Sequence, residues 1–235
     1  MNDPLGWLFG AELQIGDQAI LWREVIGNLF GLLSALGGMR RRVWAWPVGI
    51  VGNILLFTVF VGAVFDTPQD QTLWGQAGRQ VFFIAVSVWG WYRWKQARDA
   101  GGAGGGAAIT PRWATWAERA QLVALYAVGT AVFWWVFGII GSYGRLTEAW
   151  ILTGSILATY GMARGWVEFW LVWIAVDAVG VPLLLVAGYY PSAIMYIIYG
   201  AFCIVGFVSW LRIERGERAS AHPEGVADPV VETVG

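Results

Sequence analysis

Trp170, Trp173 and Asp177 are the residues of this chain best placed, by type and spacing, to hold a ligand. At 3.6 residues per turn they fall on one face of a helix, which sets two indole rings and a carboxylate along a single stripe. The surroundings are apolar from residue 166 to residue 187, roughly the 20 residues needed to cross a bilayer. A carboxylate near the middle of such a span costs about 2.5 to 3.5 kcal/mol, so Asp177 is expected to face the protein interior or a wet cavity. Pro182 leaves the carbonyl of Ala178 without its usual donor and loosens the helix just beyond the acid. Two aromatic plates beside a hydrogen-bonding acid describe a site for a flat, polar small molecule. Tryptophans at this spacing also serve as packing or interface anchors, and a buried acid can be the structural partner of an arginine. Asp177 tilts the stripe toward a ligand.

Composition requires a membrane around these residues. With 57% hydrophobic and 13% charged residues, the 235-residue chain holds more apolar surface than one soluble core could hide, so it reads as a polytopic membrane protein. A net charge of -1 without a basic stripe gives no footing for nucleic acid. Cys203 is the only cysteine and His222 the only histidine, the latter in a polar tail; disulfides, thiolate metal sites and histidine-based triads are therefore excluded from the spans. Lys95, the only lysine, lies past a helix end and cannot carry a buried Schiff base. No phosphate-binding Gly-x-x-x-x-Gly-Lys loop exists for direct ATP drive. Asp177 has no carboxylate mate in another central span, which argues against an intramembrane enzyme. No metal or cofactor is implied.

The elements that position the site follow in order. Residues 1–20 read as an amphipathic lead-in on the membrane surface. Residues 21–94 hold three spans, at about 21–39, 43–65 and 73–94. The third carries Gln76, Arg79 and Gln80 on one side, where Arg79 either snorkels to the near interface or joins the site. Residues 95–116 form a Gly-rich cytoplasmic linker, and 117–139 a connector span. Residues 148–211 hold three more spans, at about 148–163, 166–187 and 191–211, and 212–235 reads as a disordered cytoplasmic tail. Glu168 reads as a solvated charge at a helix start, or as a gate residue. Threading seven spans gathers Arg40, Arg41, Arg42, Arg93, Lys95, Arg98, Arg112, Arg164, Arg212, Arg215 and Arg218 on one side, which places the N-terminus outside and the C-terminus inside.

Spans one to three mirror spans five to seven. Trp46 and Asn53 have the same spacing as Trp170 and Asp177, and Gly90-Trp91-Tyr92-Arg93-Trp94 resembles Gly206-Phe207-Val208-Ser209-Trp210. The odd connector gives both halves the same topology, so the expected fold is all-α, with seven transmembrane helices in a parallel 3+1+3 repeat and a substrate site near the midplane between halves. Asn53 and Asp177 then face a shared axis. Alignment of the two terminal tryptophans pairs Gln80 with Tyr196 and Phe83 with Tyr199, which adds two phenols to the cavity.

The repeat, the Trp-x-x-Trp-x-x-x-Asp motif and the Gly-Trp-Tyr-x-Trp end of span three resemble the PnuC family of bacterial vitamin transporters over about residues 21–211. Members of that family carry nicotinamide riboside by facilitated diffusion, with cytoplasmic phosphorylation trapping the substrate; the resemblance implies a plasma-membrane carrier that depends functionally on a cytoplasmic kinase. Nicotinamide riboside members usually end the motif in Asn, where this chain has Asp177. The stretch from Trp166 to Pro191, the Gly161-Met162-Ala163-Arg164 lead-in and the segment from Arg40 to Pro47 are more similar to the actinobacterial riboflavin branch called RibM or PnuX. The chemistry of the residues leaves both substrates open. A pyridinium or thiazolium cation, as in nicotinamide riboside or thiamine, would take Asp177 as counter-ion. A neutral flavin would use it as acceptor for a ribityl hydroxyl or ring N–H, with Trp170 and Trp173 stacking on the rings. A homo-oligomer is left open.

Overall fold

The computed structural model describes residues 10–15, 18–39, 42–65, 67, 68, 71–99 and 111–221. Arg40 and Arg41, most of the Gly-rich linker and the chain beyond Ala221 lie outside the described residues. The order is a hairpin of β1 (Glu12–Ile15) and β2 (Gln18–Leu21), then α1 (Trp22–Met39), α2 (Ala45–Phe60) with a 3-10 turn (Gly62–Phe65), α3 (Trp74–Asp99), α4 (Trp116–Ile140), α5 (Arg145–Ala163), α6 (Glu168–Val186) and α7 (Tyr190–Ala221). Among the described residues these seven helices are arranged as three, one and three, and the fold is that of an all-α polytopic membrane protein. Three of them, Trp116–Ile140, Glu168–Val186 and Tyr190–Gly216, are long and apolar enough by themselves to cross a membrane. α1, α3 and α5 carry buried polar residues instead, among them Arg23, Glu24, Gln76, Gln80 and Glu148; these lower their hydropathy while facing the interior.

Two expectations are corrected. Part of the lead-in is a β-hairpin, with Leu13 paired to Ile20 and Ile15 to Gln18. The alternation of Glu12 and Gln14 with Leu13 and Ile15 is a period of two, the period of a strand. The tail does not begin at Arg212: α7 runs on to Ala221, because charged residues such as Arg212, Glu214 and Arg215 sustain a helix and no proline interrupts them.

The repeat has a direct structural signature. A Cβ added at Gly90 of α3 would overlap Cη2, Cζ3 and Cζ2 of Trp46 on α2, and one added at Gly206 of α7 would overlap the same three atoms of Trp170 on α6. Each glycine is the bare surface on which the indole of the preceding helix lies. Helices pack in sequence within each repeat, and between repeats α1 meets α7 and α3 meets α5. The start of α1, the end of α2 and the starts of α3, α5 and α7 share one end of the bundle: Arg23 Nη2 donates to the Phe65 carbonyl at 2.9 Å, the Tyr143 N–H to Thr72 at 3.0 Å and the Tyr189 hydroxyl to Gln71 at 2.8 Å.

At the opposite end, α4 is fastened to the second repeat. Thr115 and Glu118 form a capping box that starts the helix. The Arg112 N–H donates to the Gly165 carbonyl at 2.9 Å, and the Val167 N–H returns a bond to Arg112 at 2.9 Å. The Arg112 guanidinium binds both oxygens of Glu118 at 2.8 and 2.7 Å, which raises its already high pKa. Glu168 accepts from the Ala114 N–H at 3.2 and 3.1 Å and from Arg119 Nε at 2.7 Å. It is therefore no solvated charge: it is a buried tie between α4 and α6, needed because the Ala114 N–H has no helix partner of its own.

Candidate functional site

The described structure gathers polar and aromatic side chains from α3, α6 and α7 in the interior of the bundle. On α3, Gln76 and Gln80 are both buried one turn apart, with Arg79 beside them. The Tyr196 hydroxyl, from α7, donates to Gln76 Oε1 at 2.9 Å. The Arg79 guanidinium carbon lies 4.7 Å from the centre of the Tyr196 ring and 5.5 Å from that of Phe83. The half-buried Arg79 thus lies over rings contributed by α3 and α7, a placement suited to a guanidinium. Phe83 in turn stacks on Trp173 of α6, with centroids 6.0 Å apart and planes at 29°.

Asp177 lies one turn beyond Trp173 on α6. It is 7% exposed, and its Oδ2 is buried without a hydrogen-bond partner among the described residues. Gly200 of α7 faces it, since a Cβ added there would stand 3.6 Å from Oδ2. The amide nitrogens of Gln76 and Gln80 and Nε of Arg79 are likewise buried and unpartnered among the described residues. Donors and acceptors left bare in one interior region, next to flat rings, are what a polar aromatic ligand would satisfy on entry. Gly180 makes room for the cluster, as a Cβ there would overlap the Tyr196 ring.

The remaining expected residues separate by position. Tyr199 is half-buried, and its hydroxyl points to α1, where a Cβ added at Gly31 would lie 3.1 Å away. Asn53 is half-buried on α2. Trp46 and Trp170 lie against Gly90 and Gly206, and Trp170 also sits among Phe169, Phe202 and Trp210 with centroids 4.3, 6.3 and 5.9 Å away. Trp170 and Trp173 thus have different neighbours although the sequence sets them on one stripe: Trp170 meets α7 near the start of α6, and Trp173, one turn on, meets α3. Among the described residues there is no group of His, Cys, Asp or Glu able to hold a metal ion.

A second polar set escapes a reading of the sequence by spans and motifs. Glu24 and Asn28 of α1 meet Ser192 of α7, and Glu148 of α5 meets Gly75 and Gln76 of α3. Its signal is present in the repeat, because Glu24 and Glu148 are as far apart as Trp46 and Trp170.

The sequence profile described as nicotinamide mononucleotide transporter matches residues 21–212. The chain is 38% identical over 217 residues to the riboflavin/roseoflavin transporter RibM of Streptomyces davaonensis, covering 91% of this chain and 96% of that protein. It is 25% identical over 234 residues to the nicotinamide riboside transporter PnuC of Escherichia coli, covering 88% of this chain and 93% of the other. A crystal structure of the vitamin B3 transporter PnuC shares the fold, with a TM-score of 0.61 at 20% identity over 83% of this chain and 82% of its own.

Proposed function

Because the chain belongs to the nicotinamide mononucleotide transporter family, a family of membrane transporters and not of enzymes, we propose that this vitamin transporter takes up riboflavin. The observation that carries the choice of substrate is the 38% identity, over nearly the whole length of both chains, to a protein named as a riboflavin/roseoflavin transporter. The interior cluster is compatible with it. Trp173 and Phe83 offer faces for a tricyclic ring, while Asp177, Gln76, Gln80 and Arg79 offer acceptors and donors for its carbonyls, ring N–H and ribityl hydroxyls. Asn53 and Tyr199 are the further candidates for contact with the substrate, whereas Trp46 and Trp170 are taken up in packing against Gly90 and Gly206.

Passage would follow from rocking of the two three-helix repeats about this midplane site, with α4 moving alongside the second repeat to which it is fastened. The arginine distribution supports an N-terminus outside and a C-terminus inside a bacterial plasma membrane. Net uptake would be facilitated diffusion, made one-way by a cytoplasmic kinase that phosphorylates the vitamin. The second reading, nicotinamide riboside, is favoured by Asp177 as counter-ion to a pyridinium and by the PnuC relatives.

The test is a titration of the purified protein, by tryptophan quenching, against riboflavin, nicotinamide riboside and thiamine, with Asp177→Asn alongside. Riboflavin binding weakened in the variant supports the proposal; binding of nicotinamide riboside or thiamine alone assigns Asp177 to a cation and overturns the substrate. Counterflow in kinase-free proteoliposomes then separates carrier from receptor, and accumulation above equilibrium there would exclude the passive mechanism.

A further inference from the structure

Glu24 and Glu148 occupy the same position in the two repeats and are both fully buried. Glu24 Oε1 accepts from the Ser192 N–H at 3.1 Å and from its hydroxyl at 2.7 Å, and Asn28 Nδ2 donates to Ser192 Oγ at 3.1 Å. Glu148 Oε2 accepts from the Gly75 N–H at 2.6 Å, from the Gln76 N–H at 3.4 Å and from Ser142 Oγ at 3.1 Å. Gln76 and Ser192 are themselves equivalent, being as far apart as Gly90 and Gly206. The first helix of each repeat thus sends a carboxylate into the opening turn of the third helix of the other repeat. There it meets the free N–H groups and positive end of the helix dipole.

We infer that Glu24 and Glu148 are the two latches of a gate, closing the bundle at the end where α1, α3, α5 and α7 begin and releasing when the repeats part there. The inference rests on the transport reading above. Three features favour a gate over a fixed tie. Both contacts cross between repeats, so rocking must break them. Each carboxylate leaves its other oxygen, Glu24 Oε2 and Glu148 Oε1, buried without a hydrogen-bond partner among the described residues. Water returning on opening would satisfy those oxygens, so the latched state is held only moderately and a difference in substrate contacts can tip it. Finally, the latches are wired to the site. Gln76 binds Glu148 through its backbone and Tyr196 through its side chain, and Ser192 lies one turn from Tyr196.

The test uses the full chain carrying Cys203→Ser, Gly75→Cys and Glu148→Cys. A Cβ added at Gly75 lies 2.8 Å from Glu148 Cβ, so a slight relaxation brings the pair into the disulfide range of about 3.5–4.5 Å. In proteoliposomes, oxidation is expected to cut counterflow of labelled riboflavin by about tenfold or more while leaving its affinity within about twofold, and a reductant restores exchange. Undiminished exchange in the cross-linked protein overturns the gate. If that variant fails to bind at all, the decision passes to Glu24→Ala with Glu148→Ala, read by a Gly200→Cys reporter on the Cys203→Ser background. Labelling by an impermeant maleimide from the latch side is expected to rise by about tenfold over the reporter alone, and unchanged labelling overturns the gate. The Cys203→Ser parent separates the two claims. A parent that exchanges no riboflavin refutes the transport reading and the gate together, whereas a parent that exchanges beside a cross-linked protein that also exchanges refutes the gate alone.

Discussion

Trp170 and Trp173 lie one turn apart on the same helix, yet replacing them should produce opposite phenotypes. Trp173 stacks on Phe83 at 6.0 Å in the polar interior cluster, whereas Trp170 fills the bare surface of Gly206 and is walled by Phe169, Phe202 and Trp210. Trp173→Leu keeps an apolar contact but loses the flat face, which is worth about 0.5–1.5 kcal/mol, or about a two- to tenfold weaker Kd for the vitamin. Trp170→Leu opens a void in an aromatic cluster. Its indole N–H has no hydrogen-bond partner among the described residues, so the loss is one of packing, about 2–3 kcal/mol on the scale of large-to-small core changes. For a chain of this length that corresponds to a fall in Tm of about 5–10 °C. The assay pairs ligand titration by fluorescence quenching with thermal unfolding in detergent. Equal loss of affinity in both variants, or a fall in Tm confined to Trp173→Leu, would refute the division of labour.

Alanine normally stabilises a helix relative to glycine by about 1 kcal/mol, and at Gly90 and Gly206 the sign should reverse because the added Cβ strikes Trp46 and Trp170. Both variants are expected to unfold earlier by similar amounts, with Gly216→Ala, where an added Cβ meets nothing within 4 Å, unchanged or slightly stabilised; differential scanning in detergent reads all three. Glu168→Ala leaves the buried Ala114 N–H unpaired and frees Arg119, a loss of about 1–3 kcal/mol measurable as lower Tm and earlier proteolysis between α3 and α4, with Kd for the vitamin preserved.

Membrane folds advertise their interior through polar residues that would be costly in lipid, which is why Asp177, Gln76, Arg79, Gln80 and Tyr196 are legible in the sequence. The repeat is legible for a related reason: in each half an indole must meet a glycine on the helix that follows, so Trp46 with Gly90 and Trp170 with Gly206 recur even though the first pair is 44 residues apart and the second 36. Helical periodicity reports direction around an axis and says nothing about which neighbour stands at each height, so Trp170 and Trp173 look like partners in the sequence. Glu168 looks like a solvated charge at a helix start, and Glu148 gives no signal of its own, because their acceptor roles depend on N–H groups from other elements, Ala114 and Gly75, far away in sequence. The β-hairpin is hidden by its brevity, four residues to a strand with weak hydropathy.

The fastening of α4 has a consequence for how the polypeptide is made. Arg112, Ala114 and Arg119 bind this helix to the start of α6, and α4 packs along α5, while its contact with α3 is slight. The surfaces that join the halves, α1 with α7 and α3 with α5, are therefore built from helices on either side of the covalent link between Asp99 and Pro111, and the molecule is in effect a two-subunit complex written as a single gene. The tether then serves to raise the effective concentration of one half near the other, to about the millimolar range for a short link. Separately translated halves, ending near Asp99 and beginning near Pro111, would retain every one of those surfaces, and co-expression should reconstitute the carrier.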